Sequence, residues 1–260
     1  MKPIKLVVMP LVALMLMGCG PKVKTITGAD LPKLREDQSV YFSVDTNSEL
    51  IEGNKTTTST SFVHYYLNQV VHQKASTKVV DNGVETNENT EGWLYHVGNV
   101  TTAISYENGK IIPEGTTKMD DPSKGIYIVA FNVVKNMTDA YLQVPSDTYN
   151  KQFTLVGTPD GEQTMRDHGI DPASVSLVDM GEGLYRLEAT TINPTDKDQR
   201  ADQILDIQVV DGYITKYVEN SKVYTKDVLT MSRYYELVLG HGFAPTYTDE
   251  LPTFPTTPGS

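Results

Sequence analysis

Between residues 38 and 243, short apolar runs rich in β-branched and aromatic residues alternate with polar positions and with turns of Gly, Asn and Asp. This pattern is typical of β-strands. One run, Gly125–Lys135, is almost wholly apolar, which predicts a central strand covered on both faces. The predicted strands are Val40–Val44, Trp93–Tyr106, Gly125–Lys135, Val175–Val178, Leu184–Thr190, Ile204–Val210, Tyr213–Val218 and Leu229–Leu239.

Compact turns join several of these runs. Asn108-Gly109 leads into Ile111, Asp211-Gly212 separates two apolar runs, and Gly181-Glu182-Gly183 separates another two. Such dipeptides supply the positive φ angles that tight hairpins need. The fold class expected is therefore α+β and mainly antiparallel β, with a large curved meander sheet or half-barrel and few short helices.

Two segments fit both a helix and a strand. Apolar residues in Ser61–Gln73 match either period, although the Ser/Thr run before it favours a strand, and Leu229–Leu239 also permits both. One short helix is predicted from Asp160 to Gly169, with Asp160 as its N-cap and Gly169 at its end.

The amino terminus has the arrangement of an export signal. Lys2 and Lys5 precede the apolar run Leu6–Met17, which is short for a membrane span, and Leu16-Met17-Gly18-Cys19 follows. This arrangement resembles the lipobox of bacterial lipoproteins. The resemblance implies a signal peptide at 1–18, lipidation of Cys19, and a protein held by lipid on the extracytoplasmic face of the cell membrane. An ordinary signal peptide or a short membrane anchor is the alternative.

The predicted organisation places one β-rich extracytoplasmic domain at 38–243, between two less regular segments. Residues 19–37 mix basic residues with Pro and Gly and are predicted to form a tether. Residues 244–260 carry Pro245, Pro252, Pro255 and Pro258, so we expect an extended, exposed Pro/Thr-rich tail. A Pro-rich tail can also dock into an aromatic groove.

Composition narrows the classes of partner. The formal charge is −11, and removing residues 1–18 would make it −13, since two lysines and no acid are lost. An acidic chain argues against nucleic-acid binding and against a polybasic membrane surface, so any anchoring depends on the lipid. Cys19 is the single cysteine, so no disulfide can form within the chain and the domain depends on its buried core.

The sequence contains no familiar hydrolase, phosphate-binding, zinc or calcium motif. His64 and His72 could share a metal only with a partner such as His96 or His168 brought in by folding. The acidic residues Asp120, Asp121 and Glu182 lie in predicted turns, which explain them adequately. We therefore expect no catalytic, cofactor or metal site. The tyrosines of the strands fit ordinary sheet packing and, less well, an amphipathic pocket.

The order of elements in the second half resembles the LolA and LppX type of lipoprotein carrier, in which a curved half-barrel closes over an acyl-chain cavity. The matching stretches are Leu184–Glu188, Ile204–Val218, the Tyr234-Tyr235 strand and the closing Phe243–Pro245 with Leu251-Pro252. The first half departs from that pattern because it lacks a clear amphipathic helix.

The resemblance implies non-catalytic binding of a lipid or other apolar ligand. Inward strand residues such as Trp93, Tyr95, Phe131 and Tyr185 would line the cavity, although alternation does not show which face is concave. The rival interpretation is a surface-anchored interaction or structural protein whose partner is an envelope protein. An enzyme of another type would need a cleft that gathers distant acids and histidines.

Overall fold

The computed structural model describes residues 23–35, 41–98, 100–119, 140–167, 170–193 and 195–255. Within them the chain forms one large antiparallel sheet, which is curved but not closed, together with two short helices. The predicted fold class is therefore confirmed.

The sheet contains 13 described strands, most of them long. Eight belong to the first half of the chain: β1 Lys24–Thr25, β2 Tyr41–Glu52, β3 Lys55–Tyr66, β4 Val70–Asp81, β5 Val84–Val97, β6 Val100–Glu107, β7 Lys110–Ile111 and β8 Thr117–Met119. Five belong to the second half: β9 Val175–Gly181, β10 Leu184–Ile192, β11 Gln199–Val210, β12 Tyr213–Thr225 and β13 Val228–His241.

Two meanders are joined edge to edge. The strand order is β1-β9-β10-β11-β12-β13-β2-β3-β4-β5-β6-β7, and β8 pairs with β6. The long-range pairing of β13 with β2, from Met231 opposite Glu52 to His241 opposite Tyr41, connects the meanders. We call β9–β13 the late half of the sheet and β2–β6 the early half.

The two described helices lie between the halves in sequence and pack on the late half, and only Tyr141 of α1 reaches a pocket of the early half. Residues 140–151 are helical (α1), and Pro159–Asp167 form α2. Leu142 and Tyr149 of α1 pack with Phe153 onto the late strands, together with Leu205, Ile207 and Leu237, all nearly or fully buried. We call this side of the sheet the helix face.

The early half buries its main core on the opposite side, and only a small cluster, Val63 and Val71, on the helix face. Directly paired residues lie on the same face of a sheet, and successive residues alternate between faces. Leu239 pairs with Val44 on the helix face, whereas the neighbouring Gly240 pairs with Ser43 on the other face. From Ser43 the row of directly paired residues continues across the early half to His64, His72, Trp93 and Ile104. Val70, Tyr95 and Ile104 form a separate core on this second side, which residues 244–255 cover. We call it the tail face.

Several local predictions are confirmed. Asn108 and Gly109 adopt positive φ in the β6–β7 turn, and Asp211 and Gly212 do so between β11 and β12. The segment Leu229–Leu239 lies wholly within β13, which removes the helical alternative. The predicted central strand Gly125–Lys135 lies outside the described residues.

Other boundaries differ from the predictions. Trp93–Tyr106 is two strands rather than one, because Gly98 at φ +63° turns β5 into β6. The segment Ser61–Gln73 is also two strands, since Gln69 has a φ of 63° and ends a turn with Leu67 exposed. In α2 the hydroxyl of Thr158, not Asp160, accepts the hydrogen bond from the Gly161 amide at 3.1 Å, so Thr158 acts as the cap.

The two segments predicted to flank the domain instead pack on it. Ile26 is buried, its amide donates to the Leu177 carbonyl at 3.0 Å, and β1 extends the edge of the sheet beside β9. The apolar residues Ile26, Leu31 and Leu34 give residues 23–35 a surface to bury, which a free tether lacks. Residues 244–255 have no regular secondary structure and are docked on the tail face rather than free.

Candidate functional site

An apolar pocket opens between α2 and the edge of the late half. Its volume is about 360 Å³, within the range of small-molecule sites. The floor comes from Val175, Leu187 and Ala189 of the sheet, and the roof from Leu155, Met165 and Ile170. Such a lining favours an apolar group over a charged one.

Local structure holds the roof of this pocket in place. Gly161 of α2 approaches the Leu155 carbonyl so closely that an added Cβ would collide with it. The Ile170 amide donates to the Met165 carbonyl at 2.8 Å and turns the chain back over the sheet. The short helix is therefore set against the sheet by backbone contacts that only glycine at 161 permits.

Polar side chains occur in the pocket lining beside the apolar ones. Lys151 and Gln152 come from the end of α1, and Gln203 from β11. The Lys151 ammonium lies 3.0 Å from the Asp147 carboxylate, and both side chains are largely exposed, so this pair is weak and can be rearranged. The pocket thus combines an apolar interior with a cation and amides suited to a polar head group.

The tail face carries a second concentration of chemically active side chains. His72 stacks on Trp93 with ring centroids 3.6 Å apart, and Phe62 packs edge-on against His72. Each histidine of this face has a carboxylate partner: His64 Nε2 lies 2.9 Å from Asp45, and His72 Nε2 lies 2.8 Å from Glu91. The cluster is an aromatic platform edged by two histidine–carboxylate hydrogen bonds.

Burial sets the protonation of this platform. Desolvation lowers the pKa of the His72 imidazole, and the opposing hydrogen bond and charge of Glu91 only partly compensate. The pKa of Tyr66 is raised, first by burial and then by Asp249 and Asp45. Both shifts favour the neutral side chain, which suits an apolar stacking surface.

Residues 244–255 lie across this platform. Tyr247 stacks edge-on against Tyr66 and Trp93, with ring centroids 5.0 and 5.6 Å away. The Tyr95 hydroxyl donates to the Pro252 carbonyl at 2.6 Å, and Lys118 lies 4.5 Å above the Phe254 ring. The segment therefore covers the early-half core much as the helices cover the late-half core.

The residues singled out by sequence do not assemble into one site. Trp93 and Tyr95 lie on the tail face, whereas Tyr185 packs against the core of the helix face. His96 pairs with Thr101 on the side opposite to His64 and His72, and Glu182 occupies the β9–β10 turn at φ 53°. Cys19, Asp120, Asp121, Phe131 and His168 lie outside the described residues.

The described residues contain neither a metal-binding cluster nor a membrane-spanning helix. No group of three or more His, Cys, Asp or Glu side chains is placed to hold a metal ion within the described ranges. Neither described helix has the length and apolar character needed to cross a bilayer.

The sequence analysis did not identify the pocket residues around α2. It also did not identify the contacts of Tyr247, Leu251 and Phe254 with the tail face. Met165, Ile170 and Ala189 are ordinary core types, and their convergence depends on non-local packing of α2 on β10. The tail offered a weak signal, because Tyr247, Leu251 and Phe254 punctuate a Pro-rich segment with large apolar side chains. That composition is compatible with docking as well as with exposure.

Comparisons with known proteins add no family. No protein-family model matches the sequence, and no curated protein matches it. Among solved structures, the crystal structure of Pseudomonas aeruginosa OpdO matches at 10% identity, over 79% of this chain and 60% of that chain, with a TM-score of 0.17. The chain thus spans about 60% of that protein's length, and a likeness this low supports no argument about fold or function.

Proposed function

We propose that this protein is a membrane-anchored lipoprotein of the extracytoplasmic face whose domain binds an apolar ligand without catalysis. The observation that carries the binding proposal is the pocket of about 360 Å³ between α2 and the late half. The anchoring proposal rests on the resemblance of Leu16–Cys19 to a lipobox.

The size of the pocket limits the ligand to one chain. Small-molecule sites span roughly 300–1,000 Å³, and this pocket falls near the lower end. The late-half core beside the pocket is filled, since Tyr149, Phe153, Tyr217 and Leu205 have almost no exposed surface. A single acyl chain or a similar apolar group fits this space, whereas a two-chain lipid does not.

Filling the pocket tests ligand binding. Ala189→Phe adds a ring to the floor, so a dansyl-labelled medium-chain fatty acid should lose at least tenfold in affinity, measured by its fluorescence enhancement. Ala75→Phe is the matched control, because Ala75 lines a different pocket on the early half. Equal affinity in wild type and Ala189→Phe, with both proteins folded, would refute the assignment of the pocket.

The anchor is tested separately. Cys19→Ser removes the thiol that would carry the diacylglyceryl group, so we expect the precursor to stay unprocessed and lipid labelling to be lost. Metabolic labelling with a radioactive fatty acid and membrane fractionation give the readout. Unchanged processing and labelling would overturn the lipoprotein proposal and leave the pocket untouched.

A surface-anchored interaction protein is the second candidate, and one feature favours it. The ends of β2–β5 far from the tail, which we call the polar arm, hold no buried apolar cluster on either face among the described residues. Val84–Thr90 of β5 are exposed throughout. A polar, two-sided sheet suits contact with an envelope protein. The fatty-acid titration separates the candidates, since an interaction protein needs no ligand in the pocket.

A further inference from the structure

We propose that the groove on the tail face is a peptide-recognition site that also accepts residues 244–255 of a second copy of this chain, linking two copies by exchange of their tails. The groove is defined by Tyr66, Asn68, Trp93, Tyr95 and Lys118, all of which contact the tail. The proposal does not depend on the apolar pocket or on the lipid anchor.

The groove contacts the tail backbone as peptide-binding sites do. The Asn68 side chain makes two hydrogen bonds with the main chain of Tyr247: its Nδ2 donates to the carbonyl at 3.0 Å, and its Oδ1 accepts from the amide at 2.9 Å. The Leu67 amide donates to the Pro245 carbonyl at 2.9 Å. Together with the Tyr95 bond to Pro252, these contacts fix an extended Pro-containing strand at several points.

Three anchors give the groove its selectivity. Tyr247, Leu251 and Phe254 all pack against the core of Val70, Tyr95 and Ile104, whereas Thr248 and Thr253 between them are exposed. The recognised pattern is therefore an aromatic residue, an aliphatic residue four positions later and an aromatic residue three positions after that. The tail of a second copy is the occupant whose fit to this groove is established by the cis contacts themselves.

The segment before the tail has the features of a hinge. Gly242 adopts φ +101° with open space around it, and the side chain of Phe243 is 97% exposed. Among the described residues, the first hydrogen bond of the tail is the one from the Leu67 amide to the Pro245 carbonyl. Gly242 lies between this bond and the end of β13, so a change at Gly242 redirects the whole tail without breaking β13. Exchange of an identical element keeps every contact and is a low-cost route to dimers.

Cis docking is favoured in dilute solution, because attachment gives the tail a high effective concentration. A pair of complementary full-chain variants removes this advantage. The acceptor carries Tyr247→Ala, Leu251→Ala and Phe254→Ala, which free its groove. The donor carries Asn68→Ala, Trp93→Phe and Tyr95→Phe, which weaken its groove and leave its tail intact.

Trp93 is the only tryptophan of the chain and lies beneath Tyr247. The tryptophan fluorescence of the acceptor therefore reports whether its groove is occupied, whereas the donor, which carries Trp93→Phe, contributes no tryptophan signal. The acceptor alone should show red-shifted emission. Mixing with donor should return the emission to the wild-type position and double the mass in analytical ultracentrifugation, with saturation at equal amounts. A peptide of residues 244–255 should restore the emission without doubling the mass.

Three results would overturn the proposal. Wild-type emission in the acceptor alone would mean that the tail does not cover Trp93. Restoration by the peptide but not by the donor would mean that the groove binds peptides without linking copies. Restoration by neither would mean that the tail is only an attached cover. Circular dichroism checks folding, and if the triple variant unfolds, Tyr247→Ala alone serves as the acceptor, because Tyr247 is the tail residue that covers Trp93.

Discussion

The largest cores of the two halves lie on opposite faces of the sheet, although the early half also buries a smaller cluster, Val63 and Val71, on the helix face. One cross-strand row on the helix face runs through Tyr185, Ile207, Tyr217 and Leu237 in the late half and continues through Thr46, Ser61, Ala75 and Thr90 in the early half. The row changes from large apolar side chains to small, mostly polar ones where β13 meets β2. The helices cover the first part of the row and leave the second without a large core.

The tail face shows the reverse. In the late half it carries ion pairs, such as Arg186 with Asp206 at 2.7 Å and Lys216 with Glu236 at 2.7 Å. In the early half it carries Val70, Trp93, Tyr95 and Ile104 beneath the tail. A single continuous sheet therefore carries two main cores with two different covers. We expect that each cover can be perturbed without the other.

The largest effect is expected in the late-half core. Leu205 has no exposed surface and packs beneath the helices. Leu205→Ala should reduce the free energy of unfolding by about 2–5 kcal/mol, because it leaves a cavity. Urea denaturation measures the loss, and Trp93 emission at zero urea should stay unchanged, since the early half keeps its cover. A shifted native emission would show that the two cores are coupled.

A smaller loss is expected from Gly28→Ala at the edge of the late half. The Gly28 amide donates to the Val156 carbonyl at 2.8 Å, and an added Cβ would collide with the Thr154 backbone. Displacing residues 23–35 should cost about 1–3 kcal/mol, as overpacking does. Ala29→Ser is the control, because Ala29 is exposed. Equal stability of the two variants would restore the interpretation of this segment as a free tether.

The tail cover is tested by Tyr95→Phe. This change removes the hydroxyl that donates to the Pro252 carbonyl but keeps the ring in the core. We expect a loss of about 0.5–1.5 kcal/mol, the usual contribution of one hydrogen bond. Protease cleavage within 244–255 should accelerate as well. Unchanged cleavage would mean that this bond does not hold the tail.

Lowering the pH should reduce the stability that His72 of the early half contributes. Burial lowers the pKa of His72 in the folded protein below the ordinary histidine value of about 6.5, so the unfolded chain binds the proton more readily. The contribution of His72 to stability is therefore greatest above that value and falls as the pH decreases through it. Melting temperatures from pH 7.5 to 5 should drop less in His72→Gln than in wild type. Parallel pH profiles would contradict the burial argument.

The polar arm should tolerate substitution best. Thr58 of β3 lies within it, where the described residues bury no apolar cluster on either face. Thr58→Ala should change the free energy of unfolding by no more than about 0.5 kcal/mol, as at other surface sites. A larger loss would indicate that the Ser/Thr rows stabilise the arm beyond ordinary strand pairing.

Features that depend on interactions between residues close in sequence could be predicted, whereas features that depend on residues far apart in sequence could not. Asn108-Gly109 and Asp211-Gly212 identify their hairpins because a positive φ is a local requirement. The strand Lys55–Tyr66 begins with polar residues that lack apolar alternation, and cross-strand pairing rather than burial supports it. Which face each half buries depends on the pairing of β13 with β2, which no local pattern encodes.

The same distinction explains the two flanking segments. Their composition predicts irregular chain, and 244–255 is indeed without regular secondary structure. Composition does not reveal that Ile26, Tyr247 and Phe254 find partners far away in sequence. The pocket beneath α2 could not be predicted either, because it forms where a short helix packs on strands that lie far away in sequence.

Native mass spectrometry of residues 20–260, purified without detergent, tests the binding proposal most directly. The account predicts a protein peak accompanied by a species heavier by one single-chain lipid, which disappears in Ala189→Phe and persists in Ala75→Phe. A wild-type spectrum showing only the bare chain, even after incubation with fatty acid, would contradict a ligand-binding role.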